Sequence, residues 1–599
     1  MKFLLVALNT KYIHSNPALY SLRAYAGEKL HKYIEIAEYT INHASAEVLA
    51  DIYKRKPDVI GFSCYIWNIQ MVQELVRELS KLFPRVPVWL GGPEVTYDAP
   101  DVLRVHPEVT GVMLGEGEAT FRELLEYYVK RELGLEEAEE NRAKAGEEND
   151  TENGLRRIKG LCLRSGVTAP RELTELRALP FLYDDLGAFE NKIIYYESSR
   201  GCPFRCSYCL SAIDKQVRLR DIDVVKRELQ FFLDHKVKQV KFVDRTFNCN
   251  HEHAAKIWRY ISEHDNGITN FHFEISADLL NEAELALLRG MRPGLVQLEI
   301  GVQSTNPETL AAIHRRMDVD KLEKIVADIN GGNNVHQHLD LIAGLPFEDF
   351  DSFGNSFDRV YAMRPEQLQL GFLKVLKGSK MQEQALEYGI CYTDKPPYEV
   401  LFTKWLSFAE VLKLKRIEEM VELYYNSNQF VHTLRFLEQA FSSPFQMYLA
   451  LAEFYEEKGF FVNSPARSYR YQVLLSFACT KDKEHEVVYR ELLTFDMYLR
   501  ENLKSRPDFA KDLQEYKERI KDFYRLEAEE RTYLPAYEAY DSKQLARMTH
   551  MEPFYFPVWD MPERTEVKAA AEPMFLLFDY AARNPLTGDA RTVPVGQGT

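Results

Sequence analysis

Short apolar runs alternate with amphipathic stretches over the first 130 residues of the chain. The apolar runs are rich in β-branched residues and have the length of buried strands, whereas apolar residues at helical spacing fill the gaps between them. Such alternation predicts an α/β domain with a doubly wound, Rossmann-like parallel sheet over residues 1–130. The predicted strands are 2–8, 33–38, 59–64, 86–91 and 111–114.

The same alternation of strand and helix returns after residue 191. Six strand-helix units in succession predict a partial (β/α)6 barrel over residues 191–385, whose chemistry belongs at the carboxyl ends of its strands. The predicted barrel strands are 193–197, 239–244, 271–277, 295–301, 338–342 and 367–373.

The remaining segments differ in composition from both α/β regions. Residues 131–157 are rich in Glu and Asn and nearly lack large apolar side chains, so they bury too little surface to order themselves. We therefore assign 131–190 to a flexible acidic insertion and linker. Long amphipathic stretches such as 410–426 and 484–504 predict a mainly helical C-terminal domain over 386–599, ending in a loose tail at 584–599.

Charge and hydropathy narrow the function classes. The 599 residues carry 91 Asp and Glu against 75 Lys and Arg, a net charge of −16, so no basic field favours nucleic acid as a partner. The opening MKFLLVALNTKYIH lacks a small-residue cleavage site, and no apolar run reaches the roughly 18 residues of a membrane span. We expect a soluble, cytoplasmic protein.

Three of the eight cysteines, Cys202, Cys206 and Cys209, form a CxxxCxxC motif directly after the first predicted barrel strand. Three thiolates on one loop can ligate three corners of a [4Fe–4S] cluster, which leaves the fourth iron open. A structural zinc site needs a fourth ligand, and Cys249, the nearest other cysteine, lies one strand-helix unit away. Buried or zinc-binding thiols, and a redox pair of Cys206 and Cys209, remain the alternatives.

The segment SSRGCPFRCSYCLSA resembles the radical S-adenosylmethionine (SAM) superfamily, whose CxxxCxxC loop follows the first strand of a partial barrel. The resemblance implies that the open iron chelates the amino and carboxylate groups of SAM. An electron from the cluster then cleaves the C–S bond to give a 5′-deoxyadenosyl radical. By position, Tyr208 packs near cluster and adenine. An oxygen-sensitive cluster also implies an electron donor of the flavodoxin or ferredoxin type.

The resemblance further expects SAM contacts on the next barrel strands. Polar side chains inside apolar strands cost free energy unless they are paired, and the amine and ribose hydroxyls of a ligand would pair them. Alternatively these side chains satisfy one another, and Arg315 and Arg316 either reach a carboxylate or lie at a surface helix end. The candidate SAM contacts are Asp244, Glu274, Glu299, Gln303 and Ser304.

Glycines lie at the two late strand ends of the first domain, directly upstream of the barrel. Small residues there let backbone N–H groups approach a large flat ligand. This arrangement resembles the cobalamin-binding class of radical SAM enzymes, in an uncharacterised subgroup with a helical C-terminal domain. The chain lacks a DxHxxG loop, so the resemblance implies base-off cobalamin; Trp67 either covers its lower face or packs in a core. The cobalamin-binding glycines are Gly91, Gly92, Gly115 and Gly117.

Cobalamin together with SAM most often implies methyl transfer, here to an unactivated carbon of a small-molecule or peptide substrate. Radical cyclisation or rearrangement without methyl transfer is the alternative within the class. An alternative of another class is a non-catalytic cobalamin or iron–sulfur sensor. A methylthiotransferase would need three upstream cysteines, and only Cys64 and Cys162 lie there.

Overall fold

The computed structural model describes residues 1–133, 153–214, 216–561 and 566–596. Most of the acidic run predicted as a flexible insertion, 134–152, lies outside the described residues. No helix among the described residues is long and apolar enough to cross a membrane.

The first sheet has seven strands in the order β2-β1-β3-β4-β5-β6-β7. The first five are parallel in the 2-1-3-4-5 order of flavodoxin-like folds, which confirms the Rossmann-like prediction. The short hairpin β6–β7 adds antiparallel to β5, so the sheet extends into the segment predicted as insertion and linker. The strands are β1 (Phe3–Asn9), β2 (Ile34–Thr40), β3 (Val59–Ser63), β4 (Val88–Gly91), β5 (Gly111–Met113), β6 (Leu161–Leu163) and β7 (Gly166–Val167).

Helices cover both faces of this sheet. The helix Ile69–Leu82 shows why: its buried residues Ile69, Val72, Leu75, Val76 and Leu79 recur at the three- and four-residue spacing of one helix face. The helices of this layer are Pro17–Ala26, Glu28–His31, Ser45–Arg55, Ile69–Leu82, Pro93–Thr96, Ala99–Val105 and Glu118–Glu132.

The second α/β unit is an open half-barrel. Its strands β8 and β11–β15 lie side by side in chain order and are all parallel, which confirms the predicted six-stranded partial barrel. The strands of this region are β8 (Ile194–Tyr196), β9 (Ser199–Arg200), β10 (Arg218–Leu219), β11 (Gln239–Phe242), β12 (Asn270–Ile275), β13 (Val296–Gln303), β14 (His336–Ala343) and β15 (Gln367–Phe372). The helices are Ile222–Asp234, His251–Glu263, Glu282–Arg289, Pro307–Ala312, Val319–Gly332, Phe350–Ala362 and Lys380–Gln384.

The two faces of the half-barrel differ in chemistry. On β13, apolar residues such as Leu298 and Ile300 are fully buried under the helices, whereas the alternate positions Glu299 and Gln303 are polar. Because side chains alternate across a strand, Glu274 on β12 and Asp340 on β14 line the same inner face as Glu299. The inner face is therefore the polar surface on which a ligand would be held.

The C-terminal region is mainly helical, as predicted, but it ends in a three-stranded antiparallel sheet. The predicted loose tail is wrong for residues 590–595, because they pair with β19 and the turn 584–589 closes that hairpin. The helices are Phe408–Met420, Val431–Leu437, Pro444–Glu457, Tyr469–Lys481, Glu486–Arg500, Lys517–Glu530 and Ser542–Met548. The strands are β16 (Cys391–Tyr392), β17 (Val400–Phe402), β18 (Thr549–Phe554), β19 (Met574–Arg583) and β20 (Ala590–Val595).

The C-terminal region shares a hydrophobic core with the half-barrel. Phe445 packs its ring against those of Phe350 and Phe357, with centroids 5.2 and 5.6 Å apart. The amide of Asn426 both accepts a hydrogen bond from the backbone N–H of Leu368 and donates one to its carbonyl, each 2.9 Å long. The helices thus cover the open edge strand β15, which would otherwise present unpaired backbone groups.

Candidate active site at the barrel mouth

The three motif cysteines lie on one loop between β9 and β10, beyond the carboxyl end of β8. Cys202 and Cys206 are buried, and Cys209 is partly exposed. The backbone N–H of Cys209 donates a 3.1 Å hydrogen bond to the carbonyl of Cys206, which tightens the turn. All three side chains line one cavity of about 190 Å³ together with polar residues of the inner barrel face.

The arrangement of these thiols distinguishes between two kinds of metal centre. Within the described ranges, no group of three or more His, Cys, Asp or Glu side chains is placed to hold a single metal ion. A tetrahedral zinc site would bring its sulfurs within about 4 Å of one another, because Zn–S bonds are about 2.3 Å long. In a cubane each thiolate binds a different iron, so its sulfurs stand further apart. Three thiols on one cavity wall fit the cubane.

One cation accompanies the cysteines in the cavity. Arg315 lies with its Nη1 3.9 Å from the sulfur of Cys206, and its Nη2 donates to the carbonyl of Gly301. Burial alone would lower the pKa of Arg315, but the neighbouring Tyr208 and Cys206 raise it, so the guanidinium stays charged. Such a cation favours the thiolate form that binds iron. Sequence analysis left Arg315 undecided because nothing in IHRRMD marks which arginine turns inward; Arg316 is exposed.

Tyr208 lies on the cavity wall beside the cysteines. Burial raises the pKa of its phenol, and nearby Cys206 and Cys209 raise it further, so the hydroxyl stays protonated. The backbone before it is fixed, because the N–H of Ser207 donates to the carbonyl of Ile313 at 2.9 Å. The tyrosine therefore presents a protonated hydroxyl and a ring to the cavity.

Two carboxylates face the cysteines from β12 and β13, and their environments separate their pKa values. Burial, together with the nearby Glu299 and Asp340 charges, raises the pKa of Glu274 to about 7, although Arg245 opposes the shift from 4.0 Å. Burial also disfavours ionisation of Glu299, but His272 and Lys241, each 3.0 Å away, lower its pKa to about 2. These two cavity carboxylates therefore differ, because Glu299 stays ionised whereas Glu274 changes protonation near neutral pH.

Gln303 occupies an unusual backbone conformation at the end of β13. Its φ is +73°, in the left-handed region that non-glycine residues seldom adopt, and the pairing with β14 shifts register between Gly301 and Gln303. Bulges of this kind redirect a side chain and are frequent next to active sites. Gln303 lines the cavity, and a Cβ on Gly301 would lie 2.2 Å from its amide nitrogen.

Two predicted SAM contacts, Asp244 and Ser304, have hydrogen-bond partners inside the protein. Asp244 is buried and accepts hydrogen bonds from the hydroxyls of Ser198 and Ser199, both at 2.6 Å, and from the backbone N–H of Ser198. Ser304 is fully buried, and its hydroxyl donates to Glu348 at 2.6 Å. Neither side chain lines the cavity. Asp244 holds the start of the cysteine loop, because its carboxylate accepts three hydrogen bonds from Ser198 and Ser199.

The burial of Asp244 should make the free energy of unfolding depend on pH. Burial raises its pKa to about 6, against about 4 in an unfolded chain, although the two serines oppose the shift. The folded state therefore binds an extra proton between pH 4 and 6, and this contribution to stability, about 3 kcal/mol, is lost as the pH rises through that window. We expect Asp244→Asn to remove this loss, as measured by urea unfolding at pH 4.5 and 7.5. Asp185→Asn, on an exposed turn, is the control, and an unchanged pH profile in Asp244→Asn would contradict the expectation.

The first sheet reverses its strand order between β1 and β3, the point at which open α/β sheets bind ligands. Trp67 lies there with 42% of its surface exposed, so it is not a core residue. Its ring is stacked on that of Tyr65, with centroids 4.4 Å apart and planes 6° apart, and its Nε1–H donates to the carbonyl of Leu8 at 3.1 Å. A rigid, exposed aromatic face thus stands at the switch point.

The four predicted glycines fall into two classes. A Cβ on Gly92 would lie 2.5 Å from the carbonyl oxygen of Cys64, so close packing between strand ends explains this glycine. Gly115 has a φ of +68° and no heavy atom within 4 Å of its Cβ position, so its backbone borders open space. A Cβ on Gly91 would lie 3.4 Å from the side chain of Met113, and one on Gly117 would lie 3.1 Å from that of Leu22. Gly115 is therefore the position best suited to approach by a ligand.

The carboxyl edge of the first sheet is joined to the barrel by polar contacts. His14, in the loop after β1, has its Nδ1 2.5 Å from the hydroxyl of Tyr195 on β8. Lys192 lies 2.8 Å from Glu38. Sequence analysis missed these residues because each pair joins segments more than 150 positions apart, and no local pattern links them.

Comparison with known proteins assigns both α/β units. The B12 binding domain model matches residues 4–125, and the radical SAM superfamily model matches residues 196–360. A third model, described as a protein of unknown function (DUF4080), matches residues 386–578.

Two curated proteins show the similarity of sequence. The chain is 27% identical to 2-(S-pantetheinyl)-carbapenam-3-carboxylate methyltransferase of Streptantibioticus cattleyicolor, over 50% of this chain and 44% of that protein. It is 25% identical to the cobalamin-dependent radical SAM methyltransferase TokK of Streptomyces tokunonensis, over 57% of this chain and 51% of that protein. The chain thus spans about half the length of these curated relatives.

Solved structures also cover most of the chain. The cobalamin-dependent SAM radical enzyme OxsB, with aqua-cobalamin and SAM bound, superposes with a TM-score of 0.53 at 15% identity, covering 88% of this chain and 75% of its own. At this identity the likeness shows a common fold. The chain therefore carries a B12-binding domain followed by a radical SAM domain, and it is homologous to cobalamin-dependent radical SAM methyltransferases.

Proposed function

We propose that this protein is a cobalamin-dependent radical SAM enzyme that methylates an unactivated carbon. The observation that supports the proposal most directly is the single cavity at the barrel mouth, where three thiols face Gln303 and the three carboxylates of Glu274, Glu299 and Asp340. When bound, the [4Fe–4S] cluster, SAM and cobalamin would supply the electron, the radical and the methyl group.

The residues of this chain then divide the work of binding and positioning. Cys202, Cys206 and Cys209 hold the cluster, and Arg315 keeps their surroundings electropositive. Glu274 and Glu299 accept hydrogen bonds from the amine and hydroxyl groups of SAM, and the amide of Gln303 orients the ligand. Tyr208 packs on the cluster side of the cavity and excludes water.

The first domain supplies the residues that contact the corrin. The exposed ring of Trp67 would pack against the corrin of a bound cobalamin, because its stacking on Tyr65 and its hydrogen bond to Leu8 hold it rigidly at the switch point. Gly115 lets the backbone approach the corrin edge. A flavodoxin- or ferredoxin-type protein donates the electron, and the substrate is a small molecule or a peptide.

Anaerobic reconstitution tests the proposal. Protein loaded with iron, sulfide and hydroxocobalamin and supplied with SAM and a reductant should form 5′-deoxyadenosine and S-adenosylhomocysteine. Both products are expected, because one SAM gives the radical and a second gives the methyl group. Formation of 5′-deoxyadenosine alone would favour cyclisation or rearrangement, and formation of neither would favour a sensor.

A further inference from the structure

The loop that carries the cysteines is closed at its base by two arginines. Arg200 and Arg218 are register partners in the antiparallel pair β9–β10, so they flank the loop on either side. The backbone N–H of Cys202 donates to the carbonyl of Asp214 at 3.3 Å, and Arg218 binds the carboxylate of Asp214 at 2.9 Å. Both arginines are therefore tied to the geometry of the cysteine turn.

Both arginines meet a glutamate of the preceding domain. Arg218 binds Glu116 through two nitrogens, with Nη2 2.5 Å from Oε1 and Nη1 3.2 Å from Oε2. Arg200 Nη1 lies 3.4 Å from Glu116, and its Nη2 lies 2.9 Å from Glu118. The backbone N–H of Thr174 completes the set with a 2.6 Å hydrogen bond to Glu116. Every oxygen of Glu116 is occupied, so this side chain is not free to bind a ligand.

The ion pairs are shielded from solvent. The side chains of Glu116 and Arg218 are 17% and 13% exposed, and that of Glu118 is 7% exposed. Salt screens such pairs less than it screens surface pairs, and removing one partner leaves a charge without compensation. Burial would raise the pKa of Glu116, but Arg218 and Arg200 lower it to about 2, so the carboxylate stays charged at every working pH.

Glu116 also belongs to the turn that borders the proposed corrin site. It sits between Gly115, whose backbone borders open space, and Gly117, in the loop after β5. The segment 115–118 therefore contacts two regions. Its backbone lies at the carboxyl edge of the first sheet, and its carboxylates hold the base of the cysteine loop.

We propose that Glu116 is a positioning residue that couples the two cofactor sites, so that an assembled cluster strengthens cobalamin binding. This inference rests on the proposed function. A cluster orders the cysteine loop and holds Arg200 and Arg218 in place, and these arginines fix the turn 115–118 before the corrin arrives. A ligand that meets an already ordered site binds more tightly, and by linkage the corrin orders the cysteine loop in return.

Titration of hydroxocobalamin into anaerobic, full-length protein tests the coupling. The dissociation constant is measured with the cluster reconstituted and with the cluster removed by a chelator. The wild-type protein should bind at least about fivefold more tightly with the cluster, the lower end of ordinary coupling. In Glu116→Gln, which assembles the cluster, the ratio should fall close to one. The matched control Glu123→Gln, which removes a similar two-nitrogen pair with Arg171 inside the first domain, should keep the wild-type ratio.

Two further measurements keep the test decisive. If Glu116→Gln does not fold, Arg218→Lys replaces it, because lysine keeps the charge but loses the two-nitrogen geometry, and its ratio should be reduced. Hydrogen exchange should also show that cobalamin protects residues 200–219 of the cluster-free wild type and not of the variant. A wild-type ratio of one, or a variant with the wild-type ratio and protection, would overturn the inference. Wild-type protein that binds no cobalamin at all would overturn the proposed function itself.

Discussion

Cys206→Ala is expected to lose its iron and, with it, all formation of 5′-deoxyadenosine. The three cysteines are the complete protein ligand set of the proposed cluster, so removal of one leaves two thiolates for four irons. Loss of a supporting residue around a metal already costs about 10- to 100-fold, and loss of a direct ligand should exceed that range. Iron and sulfide analysis after anaerobic reconstitution, followed by assay of SAM cleavage, measures the effect.

Two other cysteines provide the controls. Cys479 lies in the helix Tyr469–Lys481 of the C-terminal region, and Cys479→Ala should load iron like the wild type. Cys249 is the more informative control, because it lies near Cys202 and would be the fourth ligand of a closed metal site. Burial raises the pKa of its thiol to about 11, and the nearby Cys202 adds to the shift. Cys249→Ala should also retain iron. If it loses metal to the same extent as Cys206→Ala, the loop forms a closed four-ligand site and the radical chemistry is excluded.

Phe445→Ala is expected to destabilise the half-barrel and the C-terminal region together. Phe445 is 2% exposed and packs against the helix Phe350–Ala362, where a Cβ on Gly354 would come within 2.8 Å of its ring. Removing a buried phenylalanine ring from such a core costs about 3–5 kcal/mol. Urea unfolding followed by tryptophan fluorescence should show that loss.

The exposed Phe408 offers a matched comparison. It is 46% exposed at the start of the helix Phe408–Met420, so Phe408→Ala should change the free energy of unfolding by about 0.5 kcal/mol or less. A Phe445→Ala protein as stable as Phe408→Ala would mean that the two regions fold as separate units with no shared core.

Periodicity alone predicted most of the architecture, because each parallel strand is a short apolar run and each covering helix an amphipathic one. Where the hydrophobic pattern did not predict a strand, pairing with a neighbouring strand determined the secondary structure. Residues 590–595 have the alternation of a strand, ARTVPV, but they are too polar to be recognised as one from the sequence. They form a strand because they pair with β19. Strands 161–163 and 166–167 are too short to recognise without the β5 edge on which they add.

The candidate site likewise has some features that the sequence predicts and others that only the fold determines. The sequence showed the clustering of Cys202, Cys206 and Cys209 because all three cysteines lie within one loop, where the distance along the chain limits the distance in space. Glu116 and Arg218 are 102 positions apart, and Tyr195 and His14 are 181 apart, so only the packing of one domain on the next brings them together. The sequence by itself determined the sheets and the cysteine loop, since these depend on local order, and the cofactor class followed from the resemblance of that loop to the radical SAM superfamily. Only the tertiary structure decided which polar side chains face the cavity and which, like Asp244 and Ser304, form hydrogen bonds within the protein. The reason is that a buried polar group pairs with whatever partner the fold places within hydrogen-bonding distance.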